Sequence, residues 1–512
     1  MRIVTTVFLL GLLALGLQSC DWLIPLLRSH PQAPHLPDQN IILFRPQLTA
    51  TGSQPMPIAM QHAMVQAANE SLKNAGKDTL RISRWCPCDS SLVLLEGHQL
   101  DDLLINGREM ASSTRPSGGV SGNPPFADIT YNPTANELKW PELVGEGSLN
   151  YILSLPFYHQ PKDAIVKVPL RPFILPTDST TKPFIIAITD TGFQPGLYPA
   201  ANGQFWVNPG ESTTSDRDQN GLVGDMTGWD FVTNTNLPYD SNGHGTLVTS
   251  LIHEQLRTNE WASKNVRFMY LKTYSLNGKG TLFNNLCALS YARQKGAQLI
   301  NASWGFYSPK ESLLLGYFIK ELSATNRVLV VAAGNANGDL ERSPFGLVPS
   351  SYYRNLETNP FWPARYSGAY QHVITATTIH PTTKALASKH TSDDFLAYSV
   401  CADQNYSDPF VNVGVYNNRN RPNPYCSVLN ITAPNQGAMA SGSSFAAPVV
   451  TGRLAARLGE TWTTGKRDVL FARLENQSAT IPAGTPQLPT LRSHPTLTSQ
   501  INAGRYIKRV EP

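Results

Sequence analysis

Three polar residues in this sequence sit where side chains can do chemistry. Asp190 closes the apolar run Phe184-Ile185-Ile186-Ala187-Ile188, in the segment Ile188-Thr189-Asp190-Thr191-Gly192. His244 lies in Asn242-Gly243-His244-Gly245-Thr246, just ahead of the helical pattern Leu247, Val248, Leu251, Ile252. Ser444 lies in Ser441-Gly442-Ser443-Ser444-Phe445-Ala446-Ala447-Pro448, which also opens a helix. A serine that attacks a carbonyl needs a base to take its proton, a carboxylate to orient that base, and donors for the oxyanion. A helix N-terminus favours the negative charge that develops there. Taken singly, each of the three residues is ordinary, since caps and strand ends use the same side chains.

The elements around them must bring them together. Buried-type apolar runs recur at Phe184–Ile188, Val266–Leu271, Gln298–Ala302, Val328–Ala332 and Val373–Thr377, with helical patterns at Leu282–Lys295 and Glu311–Asn326 between them. Continuous apolar strands alternating with helices predict an α/β fold with a mainly parallel sheet. In such sheets the crevice lies at the carboxyl ends of the strands, where Asp190 falls. At 512 residues, two or three folded units are expected. Apolar residues at 41% against 15% charged exclude a disordered chain. A net charge of +4 over this length argues against a nucleic-acid partner. Upstream, a strand at Ile41–Phe44, a helix from Pro57 to Asn74 and strands at Leu80–Trp85 and Ser91–Leu95 predict a small α+β unit over 40–97. Residues 21–39 read as a tether and 98–180, rich in Pro, Gly and Ser, as a linker or insertion. The main unit spans 181–458, with a C-terminal extension over 459–512.

The three motifs, in the order Asp–His–Ser, resemble those of the subtilisin-like serine proteases (subtilases) across about 183–458. The resemblance implies a three-layer α/β fold and a serine endopeptidase acting on proteins or peptides without a catalytic cofactor. It assigns Asp190 to orient His244, His244 as general base and acid, and Ser444 as nucleophile. A fourth segment, Val330-Val331-Ala332-Ala333-Gly334-Asn335, puts Asn335 at the oxyanion-hole amide, beside the Ser444 N–H. Asn301-Ala302-Ser303-Trp304-Gly305 matches the strand that pairs with substrate, so Ser303, Trp304, Gly305, Ala333 and Gly334 are expected to line the substrate site. Ser443 and Phe445 depart from the usual Thr and Met, and spacing to Ala446-Ala447-Pro448 selects Ser444 over Ser443. Trp304 and Phe306 are bulkier than the common residues and are expected to narrow the substrate pockets. The 40–97 unit resembles a subtilase propeptide in element order, which implies an inhibitor carried on the same chain. A retained accessory domain is the alternative.

Other residues bear on metal, redox and location. Asp216-Arg217-Asp218-Gln219-Asn220-Gly221, with Asp225, resembles a calcium loop; a polar surface turn is the competing reading, and Thr227 at the twelfth position excludes an EF-hand. Met1-Arg2 followed by the apolar run Ile3–Leu17 is a signal-peptide pattern, too short for a bilayer span. Leu17-Gln18-Ser19-Cys20 resembles a bacterial lipobox, which implies export, lipidation at Cys20 and a membrane-anchored envelope protein. Cys401 and Cys426 are the expected disulfide, and Cys287 reads as a small core residue. Cys86-Pro87-Cys88 has no partner pair at zinc spacing and reads as structural. Two rival functions remain: an inactive subtilase that binds protein, and a redox or metal-binding lipoprotein built on Cys86 and Cys88.

Overall fold

The computed structural model describes residues 34–49, 52–98, 104–105, 129–139, 144–155, 173, 182–209, 211–212, 214–335, 354–381, 398–400, 405–407, 409–416, 427–433, 436–463, 465–470 and 508–510. The signal pattern, Cys20, Cys401 and Cys426 therefore lie outside the described residues.

The N-terminal unit begins with β1 (His35–Phe44), followed by α1 (Ile58–Asn74), β2 (Arg81–Cys86), β3 (Asp89–Glu96) and β4 (Val144–Ser154). The larger region follows with β5 (Phe184–Asp190), β6 (Gly228–Asp230), α2 (His244–Leu256), β7 (Val266–Lys272) and β8 (Lys279–Thr281). It continues through α3 (Leu282–Gln294), β9 (Leu299–Ala302), α4 (Leu313–Ala324), β10 (Val328–Ala332) and β11 (Val373–Pro381). Last come β12 (Tyr398–Val400), β13 (Val413–Tyr416), α5 (Ala446–Leu458) and β14 (Lys508–Val510).

The large sheet runs β6-β7-β5-β9-β10-β11-β13-β14 with every neighbouring pair parallel, and β12 pairs antiparallel with β11. Alternation along its strands divides the core. Ile186 and Ile188 of β5, with Phe268 and Tyr270 of β7, pack with α2 and α5 on one face. Ile185 and Ala187, with Met269 and Leu271, pack with α3 and α4 on the other. Both faces of a parallel sheet are thus covered, which is why β5 and β7 are buried from end to end.

The N-terminal unit is built around a second, antiparallel sheet in the order β8-β4-β1-β3-β2. Its outer residues Ile42, Phe44, Val93 and Leu95 pack on α1. Its inner residues Ile41, Leu43, Leu92 and Leu94 join the core of α3 and α4. Helix α3 is thereby sandwiched between two sheets, and every residue from Leu282 to Ala292 is buried.

Two features depart from the sequence expectation. Strand β4 falls in the stretch read as a linker, yet it is integral to the second sheet. Its buried Ser148 and Asn150 break the apolar alternation that would have marked it. Both are polar because they serve the interface: Ser148 Oγ meets Ser312 Oγ at 2.9 Å, and Asn150 Oδ1 accepts the Phe283 N–H at the start of α3 at 3.1 Å. The second departure is β8, which belongs to the larger region but pairs with β4, Gly280 opposite Leu153. The Leu155 N–H extends this pairing to the Gly278 carbonyl at 2.9 Å.

Candidate active site

Asp190 is the last residue of β5, in the centre of the large sheet, and its carboxylate is fully buried. The Thr191 N–H donates to Oδ1 at 2.7 Å. The chain then turns at Gly192 with φ 103°, where a Cβ would lie 2.3 Å from the Pro238 carbonyl oxygen; only glycine meets both demands. His244 opens α2. Its Nδ1 lies 2.8 Å and 3.0 Å from the two Asp190 oxygens, a bidentate contact between buried groups. That contact makes Nδ1 the protonated nitrogen and leaves Nε2 as the basic one. Nε2 is buried and has no hydrogen-bond partner among the described residues.

The loop carrying His244 is held by Asp240, which sequence reasoning missed. Asp240 Oδ1 accepts from the Asn242 and Gly243 N–H groups at 2.8 and 2.7 Å. Oδ2 accepts from the Thr246 N–H and hydroxyl at 2.9 and 2.7 Å. An Asp followed by Ser-Asn-Gly ahead of a helix is an N-terminal capping signal, and that pattern was legible in the sequence. The Gly245 N–H donates to Thr191 Oγ1 at 2.7 Å, tying the His segment to the Asp segment.

Ser444 lies in a short 3-10 turn, Ser443–Phe445, that leads into α5. Its hydroxyl donates to the Ser303 carbonyl at 3.2 Å. The Ser444 carbonyl in turn accepts from Ser303 Oγ at 2.7 Å. Asn301 Nδ2 donates to Ser303 Oγ at 3.0 Å, and Thr451 Oγ1 donates to Asn301 Oδ1 at 3.0 Å. This buried chain fixes the serine turn from two elements at once. The Phe445 ring lies 5.2 Å from the His244 ring, which places the turn beside the imidazole. Asn335 follows β10, and its Oδ1 accepts the Ser443 N–H at 2.8 Å. With the oxygen so occupied, Nδ2 is the side of the amide left to donate.

Ser303, Trp304 and Gly305 follow β9 and Ala333 and Gly334 follow β10, and of these Ser303 bonds the Ser444 turn. Trp304 and Phe306 do not narrow a cleft, however. The Trp304 indole is buried, with Nε1 donating to Thr189 Oγ1 at 2.8 Å, and Phe306 stacks on Tyr151 of β4 at 4.4 Å. Their bulk fills the core and the joint with the N-terminal unit.

The calcium-loop residues are brought only partly together. The three ligand atoms that converge within 4.8 Å belong to Glu211, Asp216 and Asp218. Asn220 and Asp225 are turned to one another instead, with Asn220 Nδ2 donating to Asp225 Oδ2 at 2.8 Å. Burial raises Asp225, against hydrogen bonds from Tyr291, Asn220 and Asn208. Burial also opposes ionisation of Asp218, but the Lys295 ammonium and the Asn208 amide outweigh it and hold that carboxyl below its ordinary range. Glu211 accepts from the Arg217 and Gly224 N–H groups. Much of the loop's acceptor capacity is thus taken by Lys295 and backbone donors, as in a self-capped polar turn.

The family model described as "Subtilase family" matches residues 181–472, more than half of the chain, and the chain belongs to that family. Its α/β architecture is the subtilase fold. Subtilisin-like protease 1 of Plasmodium berghei (strain Anka) is 24% identical over 280 residues, 53% of this chain and 42% of the relative. Subtilisin DY of Bacillus licheniformis is 29% identical over 127 residues, 24% of this chain and 45% of the relative. The chain matches less than half the length of these relatives. Among solved structures, fervidolysin from Fervidobacterium pennivorans, a keratinolytic enzyme related to subtilisin, has a TM-score of 0.49 and 15% identity, covering 93% of this chain and 60% of that one.

Proposed function

We propose that this subtilase is a serine endopeptidase that cleaves proteins or peptides through Asp190, His244 and Ser444. The observation that carries the reading is the bidentate His244–Asp190 contact, which leaves a buried Nε2 with no partner among the described residues, beside the Ser444 turn. Rotation of the Ser444 hydroxyl away from the Ser303 carbonyl delivers its proton to Nε2 as Oγ attacks the scissile carbonyl. The imidazolium that forms is stabilised by Asp190 and then protonates the leaving amine. The Ser444 N–H and Asn335 Nδ2 receive the oxyanion. Water then cleaves the acyl-enzyme, with His244 as base. None of these steps draws on a cofactor.

The N-terminal unit serves as a propeptide-like inhibitor of the same chain. Supporting this, β4 pairs by backbone with β8 of the catalytic region, and its inner face is buried on α3 and α4. The run ending at Cys20 supports export and lipid anchoring; no helix among the described residues is long and apolar enough to cross a membrane. A Cys20→Ser chain that stays in the membrane fraction would overturn lipid anchoring through Cys20.

The activity is tested with a fluorophosphonate probe and a peptide library on the parent, Ser444→Ala and Ser443→Ala chains. Labelling and cleavage are expected in the parent, lost in Ser444→Ala, and retained within about tenfold in Ser443→Ala, where Asn335 still receives the Ser443 N–H. A folded parent that neither labels nor cleaves is an inactive binding protein.

A further inference from the structure

The three carbonyls that follow β10, of Ala333, Gly334 and Asn335, are all held by two residues outside the sequence motifs, Asn405 and Tyr307. Asn405 lies between β12 and β13 and is fully buried. Its Nδ2 donates to the Ala333 carbonyl at 2.9 Å, and its N–H donates to the Gly334 carbonyl at 3.0 Å. The amide comes this close because position 334 has no side chain: a Cβ there would lie 2.6 Å from Asn405 Nδ2. Thr377 Oγ1 of β11 donates to the Asn405 carbonyl at 3.0 Å and fixes Asn405 in turn. The third carbonyl, that of Asn335, accepts from the Tyr307 hydroxyl at 2.7 Å.

Tyr307 and Asn405 are also bonded to each other, with Asn405 Nδ2 donating to the phenol oxygen at 2.6 Å. Asn405 Oδ1 lies 2.9 Å from that oxygen, a longer approach than the Asn335 carbonyl makes. An amide has two N–H groups and a phenol one O–H. The amide protons go to Ala333 and Tyr307, and the phenol proton goes to Asn335. Burial raises the Tyr307 phenol above its ordinary range, against the Asn405 hydrogen bond and the Arg354 charge, so it stays a neutral donor. The Asn335 side chain is held from the other side, where its Oδ1 accepts the Ser443 N–H at 2.8 Å and the Ser443 hydroxyl at 3.2 Å. The Tyr307 ring has its own support. Tyr307 pairs with Phe361 in a short antiparallel ladder, and the two rings lie 4.8 Å apart.

We propose that Tyr307, backed by Asn405, is a positioning residue that sets the main chain of Asn335 so that Nδ2 meets the oxyanion. This role rests on the peptidase activity proposed above. An oxyanion donor must sit within about 2.7–3.1 Å of a charge that exists only in the transition state. A drift of Asn335 therefore costs turnover and leaves substrate binding nearly intact.

The role is tested by a double-mutant cycle of Tyr307→Phe and Asn335→Ala in the full-length chain. Each variant is measured for kcat and KM on a peptide taken from the mapped cleavage sites, and for its unfolding midpoint. Cleavage by the parent that is lost in Ser444→Ala establishes the activity first. Tyr307→Phe should lower kcat about tenfold, with KM within about twofold. In the Asn335→Ala chain no amide is left to position, and the same change should alter kcat by less than about twofold. Tyr366→Phe is the control, since it removes a hydroxyl that donates to a different carbonyl, that of Ser312, at 2.7 Å. It should lower the midpoint to a similar extent and leave kcat unchanged. Equal losses in the two backgrounds, parent-like kcat in Tyr307→Phe, or the same loss in Tyr366→Phe overturns the positioning role while the peptidase stands. A folded parent that never cleaves overturns the peptidase, and this role with it.

Discussion

Where the segments that carry Asp190 and His244 meet, Gly245 leaves no room for a side chain, and adding one there should disable the site without touching the triad. A Cβ on Gly245 would lie 2.3 Å from the Gly192 carbonyl oxygen, 3.0 Å from the Gly192 nitrogen and 3.1 Å from Thr191 Oγ1. The first of these is backbone and cannot rotate away. Contacts of this kind do not fall below 3.0 Å, so Gly245→Ala must open the joint by about 0.7 Å. That shift moves the start of α2, with His244, relative to the end of β5, with Asp190. It also stretches the 2.7 Å bond from the Gly245 N–H to Thr191. A misplacement near 1 Å costs about 10²-fold in rate, so kcat/KM should fall by roughly 10- to 100-fold. Overpacking costs on the order of 1–3 kcal/mol, offset in part by alanine's better helix propensity, about 1 kcal/mol. The protein should therefore still fold. The assay is hydrolysis of a chromogenic peptide chosen from the mapped cleavage sites, alongside the rate of fluorophosphonate labelling and the unfolding midpoint. Both rates should fall together, with most of the loss in kcat. Parent-like kinetics with an unchanged midpoint would show that the two segments are not coupled through this contact.

Two further predictions rest on separate groups. Asn335→Ala removes the side-chain oxyanion donor, and should lower kcat by about 10²–10³ with KM little changed. An equal rise in KM, or no loss, would remove Asn335 from the oxyanion site. His372 is buried and meets the Ile319 carbonyl at 2.7 Å; burial pushes its pKa down to about 4, from an ordinary value near 6.5. The unfolded chain takes up this proton first, so its contribution is lost as pH falls from about 6.5 to about 4. The full loss is up to about 3 kcal/mol. Urea unfolding of the Ser444→Ala chain at several pH values should show this decline, and His372→Gln should flatten it. An identical pH dependence in the variant would place the acid sensitivity elsewhere.

Much of the subtilase region was legible because its signals are local. A strand buried on both faces must be apolar throughout, and β5, β7 and β10 carry that mark in their own residues. The motif order singled out Asp190, His244, Ser444 and Asn335. Spacing to Ala446-Ala447-Pro448 separated Ser444 from Ser443, and the structure adds that Ser443 serves Asn335 through its N–H. Strand β4 was missed because its polar residues are used to bond the other unit, a purpose invisible along the chain. The indole of Trp304 was misread because a residue's type does not say whether it faces the cleft or the core.

The sequence by itself determined the strand runs, the helix starts and which side chains are proposed to react, since each follows from residues within one or two turns. Only the tertiary structure decided that His244 reaches Asp190 across 54 residues, that Asp240 holds the loop between them, and that the Cys88 thiol meets the Cys287 carbonyl. Those contacts depend on how sheets and helices stack, and packing over such distances leaves no periodic trace in the chain.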